Sequence, residues 1–297
     1  MKNHTKITKA VIAVAGYGTR FLPATKNQPK EMLPIIDKPI IQYLVEEAVE
    51  SGITDIILVT RAGQHMMEDF FDNNLELEKS LEESGKLDRL KIVQDIPRMA
   101  NFTYIRQRKH LPYGNATPIV VAKNLIDDDE AFVYMFGDDM TLSQTPVTKQ
   151  LIDVYEKHHP SAVLAVQEVP DSEVERYGTV KYKENADYKY EMELGIEKVP
   201  VGQAPSNMAQ FGRFVFSYDV VREAEKMNTG KDGELWVIDL LNSLAQQGRK
   251  VIAQPIDGEW LTTGDPLRYL QTTFKFAMQR DDLKDDLKHF IKANFKD

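Results

Sequence analysis

A glycine-rich loop with basic residues lies near the start of the chain and could hold a polyphosphate. Gly16 and Gly18 follow the apolar run 11–14 and precede Arg20. Glycines let backbone N–H groups approach a ligand closely, and successive N–H groups form a concave site for anions. Arg20 adds a planar fork of donors, and Lys30 adds a compact positive charge. We therefore expect this loop to bind a phosphate chain at the C-terminal end of a first strand.

Two better-known phosphate-binding motifs do not fit this loop. The dinucleotide fingerprint requires a third glycine three positions after the second, where this chain has Phe21. The phosphate loop of ATPases ends in Gly-Lys-Ser/Thr, which occurs nowhere in the chain. An NAD-dependent dehydrogenase is therefore rejected. If only the two glycines are considered, the alternative to a phosphate-binding loop is a plain turn with solvated charges beside it.

A pair of acidic residues follows a different predicted strand. Asp138 and Asp139 come after Gly137 and the apolar run 132–136. A carboxylate at a strand end is well placed to bind Mg²⁺, a hard cation that prefers oxygen ligands. The alternative is a solvated turn, and the strand before the pair favours the metal site. The six histidines have no spacing typical of metal ligands, and the chain has no cysteine for a disulfide or a thiolate site.

The run AVAGYGTRFLPATKNQPKEMLPIIDKPIIQYLVEEAVESGITDIILVT, residues 13–60, is long and specific. It closely resembles the N-terminal signature of bacterial UTP–glucose-1-phosphate uridylyltransferases, members of the sugar-nucleotidyltransferase superfamily. The resemblance covers nearly the whole chain and weakens after about Arg106. It implies transfer of UMP from UTP to glucose 1-phosphate, giving UDP-glucose and pyrophosphate, with Mg²⁺ as cofactor. The alternatives are a thymidylyltransferase or other hexose-1-phosphate nucleotidyltransferase, and a catalytically weak paralogue that binds nucleotide and regulates a partner.

The resemblance also assigns the nucleotide side of the site. It implies that Arg20 steadies the departing pyrophosphate and that Lys30 neutralises the phosphate at the reacting centre. The amide of Gln107 carries both a donor and an acceptor, as the edge of a uracil requires. The residues expected to bind the nucleotide are Ala15, Gly16, Gly18, Thr19, Glu31, Gln107 and Gly114. Among them, Glu31 is expected to line the nucleotide pocket.

One departure from the family affects the base. Members usually continue from Arg-Gln through a lysine into Gly-Leu-Gly-His-Ala, where residues 106–116 of this chain read RQRKHLPYGNA. Gly114 keeps the second glycine, but Pro112 replaces the first. Because proline has no N–H to donate to a base, a preference for uracil is less firmly indicated here than in the N-terminal run.

The sugar side is assigned by two dipeptides, Tyr177-Gly178 and Glu197-Lys198. The resemblance implies that the backbone of Gly178 faces the hexose, that Glu197 accepts hydrogen bonds from sugar hydroxyls and that Lys198 holds the sugar phosphate. On its own, a Glu-Lys dipeptide is an ordinary surface ion pair, and it gains meaning from its register with the other motifs. The catalytic residues implied by the resemblance are Arg20, Lys30, Asp138 and Lys198.

A second departure affects the metal site. By resemblance Asp138 is the metal-binding aspartate, and the family usually has another aspartate two residues before a glycine near the last strand. Thr262 occupies that position, two residues before Gly264, and Arg268 replaces a later glycine. A threonine hydroxyl can bind Mg²⁺ but carries no charge, and Asp265 is expected to point elsewhere. Since Mg²⁺ keeps waters and takes ligands from substrate phosphates, we expect a working enzyme with a raised demand for Mg²⁺.

Alternating strands and helices must position these residues. Apolar runs predict strands at 11–14, 55–59, 102–105, 132–136, 162–169, 178–182, 190–196, 210–217 and 251–255. Helical spacing predicts helices at 39–52, 64–71, 75–87, 116–125, 218–227, 233–247, 266–278 and 281–296. This order predicts an α/β fold with an open, doubly wound, mostly parallel, Rossmann-like sheet. The helix rhythm is interrupted after residue 161, which predicts a mixed-sheet sugar-binding subregion.

The composition indicates a globular protein of 297 residues, 42% hydrophobic, with a net charge of −9. We expect one nucleotidyltransferase domain over 1–297, with a nucleotide part at about 1–160, a sugar-phosphate part at about 161–280 and a C-terminal helix at 281–297. The negative charge argues against a nucleic-acid partner. No apolar stretch approaches the ~20 residues of a membrane span, and no signal-peptide region is visible, so we expect a cytoplasmic protein without membrane contact.

The C-terminal helix carries an apolar stripe, formed by Leu283, Leu287, Phe290 and Ile291 at helical spacing. The stripe either packs on the core of its own chain or forms a contact between subunits. Because enzymes of the resembled family are dimers or tetramers, the resemblance implies a homodimer or homotetramer.

Overall fold

The computed structural model describes residues 6–295 and is built around a nine-stranded sheet, accompanied by two small two-stranded ribbons. In chain order the strands are β1 (Lys9–Ala13), β2 (Pro34–Ile35), β3 (Lys38–Pro39), β4 (Asp55–Thr60), β5 (Asn101–Arg106), β6 (Ala131–Phe136), β7 (Asp139–Leu142), β8 (Ala162–Glu168), β9 (Gly178–Tyr182), β10 (Met192–Glu197), β11 (Met208–Ser217), β12 (Val251–Pro255) and β13 (Glu259–Thr262).

The helices surround this sheet. In chain order they are α1 (Ile40–Glu50), α2 (Met66–Phe70), α3 (Leu75–Glu83), α4 (Leu87–Asp95), α5 (Thr117–Ala122), α6 (Val147–His158), α7 (Tyr218–Ala224), α8 (Val237–Gln246), α9 (Pro266–Ala277) and α10 (Lys284–Asn294). None of the helices in this part of the chain has the length and apolar character needed to cross a membrane.

One half of the sheet, in the spatial order β5-β4-β1-β6, is parallel throughout. Val11 of β1 belongs to the core on one face and Ile12 to the core on the other, and both are fully buried. Burial on both faces explains why these strands read as continuous apolar runs without polar alternation. The predicted doubly wound parallel sheet is confirmed, and the C-terminal ends of its strands lie along one edge.

The other half of the sheet is mixed and is organised by the long strand β11. This strand pairs antiparallel with β6, β8 and β9, while β10 continues beyond β9 and β12 runs parallel to β8. The register of β11 against β8 shifts between Gln210 and Phe214, so β11 contacts β9 near its start and β6 near its end. The predicted mixed-sheet subregion is confirmed.

The structure also corrects the predicted elements. It adds α6 and the antiparallel ribbon of β7 and β13, whose four-residue strands are too short to show a clear period. The predicted helix 75–87 is wrong in extent, because α3 ends at Glu83 and α4 begins at Leu87. Between them Gly85 has a φ of +66°, a left-handed conformation that glycine adopts without steric cost.

The helix α10 carries the predicted apolar stripe but buries none of its residues. Phe290 is 55% exposed, and Leu287 and Ile291 remain partly accessible. Its stripe is therefore not enclosed by the core of its own chain within residues 6–295. The predicted helix ran to 296, and Lys296 lies outside the described residues.

Candidate active site

A cleft beyond the C-terminal ends of β1, β5 and β6 joins three compartments. The walls of the loop compartment, of about 510 Å³, include residues 16–21, Lys30, Tyr113, Asp138 and Gly264. The walls of the glutamine compartment, of about 240 Å³, include Ala15, Gly16, Gln107, Tyr113, Gly114 and Trp236. The walls of the lysine compartment, of about 530 Å³, include Arg20, Asp138, Gly178, Glu197, Lys198, Gln210, Trp236 and Thr262. Shared walls make the three compartments one site, at the sheet edge where open α/β folds bind ligands.

The cleft brings together all but one of the predicted site residues. Those that line it are Ala15, Gly16, Gly18, Thr19, Arg20, Lys30, Gln107, Gly114, Asp138, Gly178, Glu197, Lys198 and Thr262. The exception is Glu31, which was expected in the pocket lining but is 1% exposed and is not part of these walls. The side chain of Glu31 packs against Gly137, where an added Cβ would lie 2.8 Å from the Glu31 Cγ. The Glu31 carboxyl therefore lies behind the wall of the cleft and does not line it.

The glycine-rich loop is shaped by Gly18. This residue has a φ of +62°, and a Cβ there would lie 3.2 Å from side-chain carbons of both Thr25 and Lys30. The Thr25 hydroxyl donates to the Gly18 carbonyl at 2.7 Å and holds the turn. At Gly16, by contrast, a Cβ would meet only the Lys30 side chain, at 3.9 Å. The backbone beside Gly16 is thus open to a ligand.

One cation of the loop reaches the strand-end carboxylate, and a second is bound to the backbone nearby. The Lys30 ammonium forms an ion pair with Asp138, and Arg20 Nη1 donates to the Gly264 carbonyl at 3.1 Å. Burial disfavours the charge on Lys30, but Asp138 and Glu31 outweigh it and raise the pKa of the amine. Burial likewise works against ionisation of Asp138, but Lys30 dominates and lowers the pKa of that carboxyl. Both groups are therefore held charged at neutral pH.

The two aspartates after β6 face different surroundings. Asp139 is buried, its Oδ2 accepting from the Gly212 N–H at 2.8 Å and its Oδ1 from the Trp260 indole at 2.7 Å. Burial and the neighbouring Asp138 raise the pKa of Asp139 to about 6. The Asp139 carbonyl also accepts from the buried Arg213 at 2.7 Å. Asp139 thus fixes the backbone, and Asp138 is left with its carboxylate in the cleft.

The ribbon of β7 and β13 brings Thr262 to Asp138. Thr262 pairs with Asp139, and the Thr263 N–H donates to the Asp138 carbonyl at 2.7 Å. A Cβ at Gly264 would lie 3.3 Å from the Thr262 hydroxyl, 3.5 Å from Arg20 Nη1 and 3.5 Å from Asp138 Oδ2. Thr262, Arg20 and Asp138 therefore converge around one glycine.

The donor set at this point is one carboxylate and one hydroxyl. Within residues 6–295 no cluster of three or more His, Cys, Asp or Glu side chains could hold a metal ion. Asp265 does not supply the missing charge, because Arg176 and Arg268 contact its Oδ2 at 2.9 and 3.3 Å and its Oδ1 caps α9. Two oxygen donors suit a hard cation that completes its shell with water and substrate phosphate.

The lysine compartment is built on β9, β10 and β11. A Cβ at Gly178 would lie 2.5 Å from Gln210 Nε2 and 2.6 Å from Glu197 Oε2, so only glycine fits beside these side chains. Burial raises the pKa of Glu197. Lys198 follows with a φ of +47°, and its N–H donates to the Tyr177 carbonyl at 3.2 Å. Such a conformation costs free energy in a lysine and is typical of functional positions.

Position 114 requires glycine because the backbone at Leu235 passes very close to it. It has a φ of +135°, and a Cβ there would lie 2.2 Å from the Leu235 carbonyl oxygen. Leu235 donates to the Tyr113 carbonyl at 2.8 Å and accepts from the Ala116 N–H at 3.0 Å. The glycine retained from the family pattern therefore lets the segment before α8 pass close to the wall of the glutamine compartment.

Several residues of the cleft were missed by the sequence prediction. They belong to loops, to the mixed sheet or to the ribbon of β7 and β13, and they are Tyr113, Asn115, Arg176, Gln210, Trp236 and Trp260. One signal was available, because the chain has two tryptophans and both lie at this site.

Known proteins share this architecture. Residues 9–279 match the family model for nucleotidyl transferases. The UTP–glucose-1-phosphate uridylyltransferase of Bacillus subtilis (strain 168) is 42% identical over 288 residues, 97% of each chain. A UTP-bound UGPase from Acinetobacter baumannii is 33% identical with a TM-score of 0.85, covering 98% of this chain and 100% of its own. A UDP-glucose pyrophosphorylase complexed with UDP-glucose is also 33% identical, with a TM-score of 0.81 and coverage of 92% and 100%. The resemblance inferred from residues 13–60 is confirmed, and the chain belongs to the nucleotidyl transferase family.

Proposed function

We propose that this protein transfers UMP from UTP to glucose 1-phosphate, giving UDP-glucose and pyrophosphate. The observation that carries the proposal is the convergence of three groups on one cleft. These are the glycine-rich loop with its two cations, the carboxylate of Asp138, and the pair Glu197-Lys198. Relatives that are 42–43% identical over 97% of this chain carry the name of this activity.

In this reaction an oxygen of the sugar phosphate forms a bond to the α-phosphorus of UTP, and the bond from that phosphorus to the pyrophosphate oxygen breaks. The attacking oxygen is already anionic, so no general base is needed. Positioning and charge stabilisation then supply most of the catalysis. Arg20 donates to the leaving pyrophosphate as its charge grows, Lys30 neutralises the reacting phosphate, and Lys198 holds the sugar phosphate.

The remaining contacts follow the compartments. Gln107 and the backbone at Gly114 face the base, and the backbone at Ala15, Gly16, Gly18 and Thr19 faces the nucleotide and its phosphates. Gly178 and Glu197 face the hexose. Asp138 and Thr262 would hold Mg²⁺, which when bound neutralises phosphate charge at the reacting centre.

The base preference keeps a second candidate open, a thymidylyltransferase, because Pro112 offers no N–H near the base. Pyrophosphate release with each pairing of nucleotide and hexose 1-phosphate tests both. We expect UTP with glucose 1-phosphate to react fastest. A maximum with dTTP would assign the chain to thymidylyl transfer, and no release with any pair would leave a nucleotide-binding paralogue.

We further propose that the chain acts as one nucleotidyltransferase domain, as a homodimer or homotetramer, in the cytoplasm. The exposed apolar stripe of α10 supports the oligomer. The absence of cysteine from the sequence agrees with a reducing compartment.

A further inference from the structure

Trp236 lies between the glutamine compartment and the lysine compartment of the cleft. Its side chain lines the glutamine compartment on one side and the lysine compartment on the other. The Lys198 ammonium lies over its ring, 5.1 Å from the ring centroid. A cation within about 6 Å of an indole face is attracted by the ring quadrupole. Trp236 therefore contacts the lysine to which the sugar phosphate is assigned.

The backbone around Trp236 is fixed on its nucleotide side. Leu235 is hydrogen-bonded between Tyr113 and Ala116, at 2.8 and 3.0 Å. The side chain of Asn115 accepts from the Val237 N–H at 2.7 Å, at the first turn of α8. The residues on both sides of Trp236 are thus bonded to the loop that walls the glutamine compartment.

The helix that follows Trp236 is fixed to the strand that precedes Lys198. The Asn242 side chain of α8 accepts from the Gly195 N–H at 2.7 Å and donates to its carbonyl at 2.8 Å. A Cβ at Gly195 would lie 2.1 Å from the Ile238 Cδ1, so helix and strand are in close contact there. Trp236 and Lys198 therefore keep their relative positions.

Lys198 needs such support. Its side chain is 46% exposed, and its ion-pair neighbour, the Glu197 carboxylate, lies 3.6 Å away. A long lysine chain loses rotamer freedom when it is held in one place, and one carboxylate at this distance restrains it weakly. The ring of Trp236 supplies a second contact on the cleft side.

We propose that Trp236 is a positioning residue that holds the Lys198 ammonium for the sugar phosphate. The proposal rests on the proposed function, since that function makes the sugar phosphate the partner of Lys198. It assigns Trp236 a role in the affinity for hexose 1-phosphate that is carried through Lys198.

The test compares Trp236→Leu with Trp236→Phe in the full chain. We expect Trp236→Leu to raise the KM for glucose 1-phosphate about three- to tenfold, on the scale of one cation–π contact, with a smaller change in the KM for UTP. Trp236→Phe keeps a ring and should recover most of the affinity. Circular dichroism and the thermal midpoint check that each variant is folded.

A double-mutant cycle with Lys198→Met separates positioning from direct contact. In the Lys198→Met background, Trp236→Leu should change the KM for glucose 1-phosphate less than twofold, whereas multiplying effects would overturn the proposal. The same variants are compared by calorimetric titration with glucose 1-phosphate, which needs no turnover. If the wild type binds the sugar phosphate but releases no pyrophosphate, the proposed function fails, and the titration still decides the role of Trp236.

Discussion

At the scale of single residues, the site depends on neighbours that take different roles. The Asp138 carboxylate forms an ion pair with Lys30, whereas both carboxylate oxygens of the next residue, Asp139, accept hydrogen bonds from Gly212 and Trp260. The Gly-Asp-Asp sequence could be recognised as a strand end, but the division of roles depends on residues more than 70 positions away. Only the folded chain decides which carboxylate reaches the cleft.

Arg20 is expected to stabilise the transition state. Negative charge grows on the leaving pyrophosphate, and Arg20 is oriented by the Gly264 carbonyl. Replacing it, Arg20→Ala, should lower kcat by about 10²-fold or more, as for loss of one preorganised donor. The control is Arg249→Ala, which removes an exposed arginine paired with Asp219. An unchanged kcat with only KM raised would reassign Arg20 to uniform substrate binding.

Thr262 is expected to limit the affinity for the metal. Thr262→Asp adds a second anionic ligand beside Asp138, so the Mg²⁺ concentration for half activity should fall and turnover should rise. Thr262→Val, which removes the hydroxyl, should shift the Mg²⁺ requirement in the opposite direction. Pyrophosphate release across a Mg²⁺ titration measures both. If neither variant shifts the midpoint, Thr262 is not a ligand.

Glu31 should make stability depend on pH. Burial raises the pKa of its carboxyl from 4.5 to about 7. Between these values the folded protein binds a proton that the unfolded chain has released, so the free energy of unfolding falls as pH rises. Glu31→Gln removes this titration. Between about pH 5 and pH 8 its free energy of unfolding should therefore rise by about 3 kcal/mol relative to that of the wild type.

Urea denaturation at several pH values measures this effect. Glu76→Gln, on the exposed face of α3, is the matched control and should follow the wild type throughout. Parallel curves for Glu31→Gln and wild type would show that the Glu31 carboxyl is ionised in the folded protein at neutral pH.

At the scale of elements, the strands of the parallel half were predictable because burial on both faces gives continuous apolar runs. The ribbon of β7 and β13 was not, since its strands gain their stability from pairing across a sequence separation of more than 100 residues. The helix α4 buries no residue, and its apolar side chains Leu87 and Ile92 are exposed, so it lacks the enclosed stripe by which helices are recognised. The motif residues of the cleft were found in the sequence, whereas Trp236 and Gln210 became visible only when helix and sheet were placed together.

The buried pair Arg213–Glu47 joins β11 to α1 and should be important for stability. Arg213 is fully buried, with its Nη2 2.8 Å from Glu47 Oε2 and its Nε 3.0 Å from Oε1. Arg213→Met leaves the Glu47 carboxylate with hydrogen bonds from Thr141 and Thr148 but without a cation, which should lower the free energy of unfolding by about 3–5 kcal/mol in urea denaturation. The double variant Arg213→Met/Glu47→Leu should regain much of that loss. A single variant as stable as wild type would mean that water reaches Glu47.

At the scale of the whole molecule, a protein with a net charge of −9 places four basic side chains in the walls of its cleft. Arg20, Lys30, Arg176 and Lys198 all line the loop or lysine compartments. The carboxylates of Asp138, Asp139, Glu197 and Asp265 line the same walls, and three of them pair with Lys30, Lys198 and Arg176, so the cleft brings charges of both signs together.

The exposed stripe of α10 is expected to contact a second copy of the chain. Leu287→Glu places a charge in the stripe and should shift the protein toward monomers in analytical ultracentrifugation. Lys288→Glu alters the next, exposed position and should leave the assembly unchanged. A wild type that is monomeric at every concentration would exclude this interface.

The strand β6 belongs to both halves of the sheet, since it pairs parallel with β1 on one side and antiparallel with β11 on the other. Asp138 lies just beyond its C-terminal end. Within the sheet, β6 is thus the strand through which the parallel half and the mixed half are joined. Because that strand is hydrogen-bonded on both sides, the backbone that carries the Asp138 carboxylate is anchored to both halves of the sheet at once.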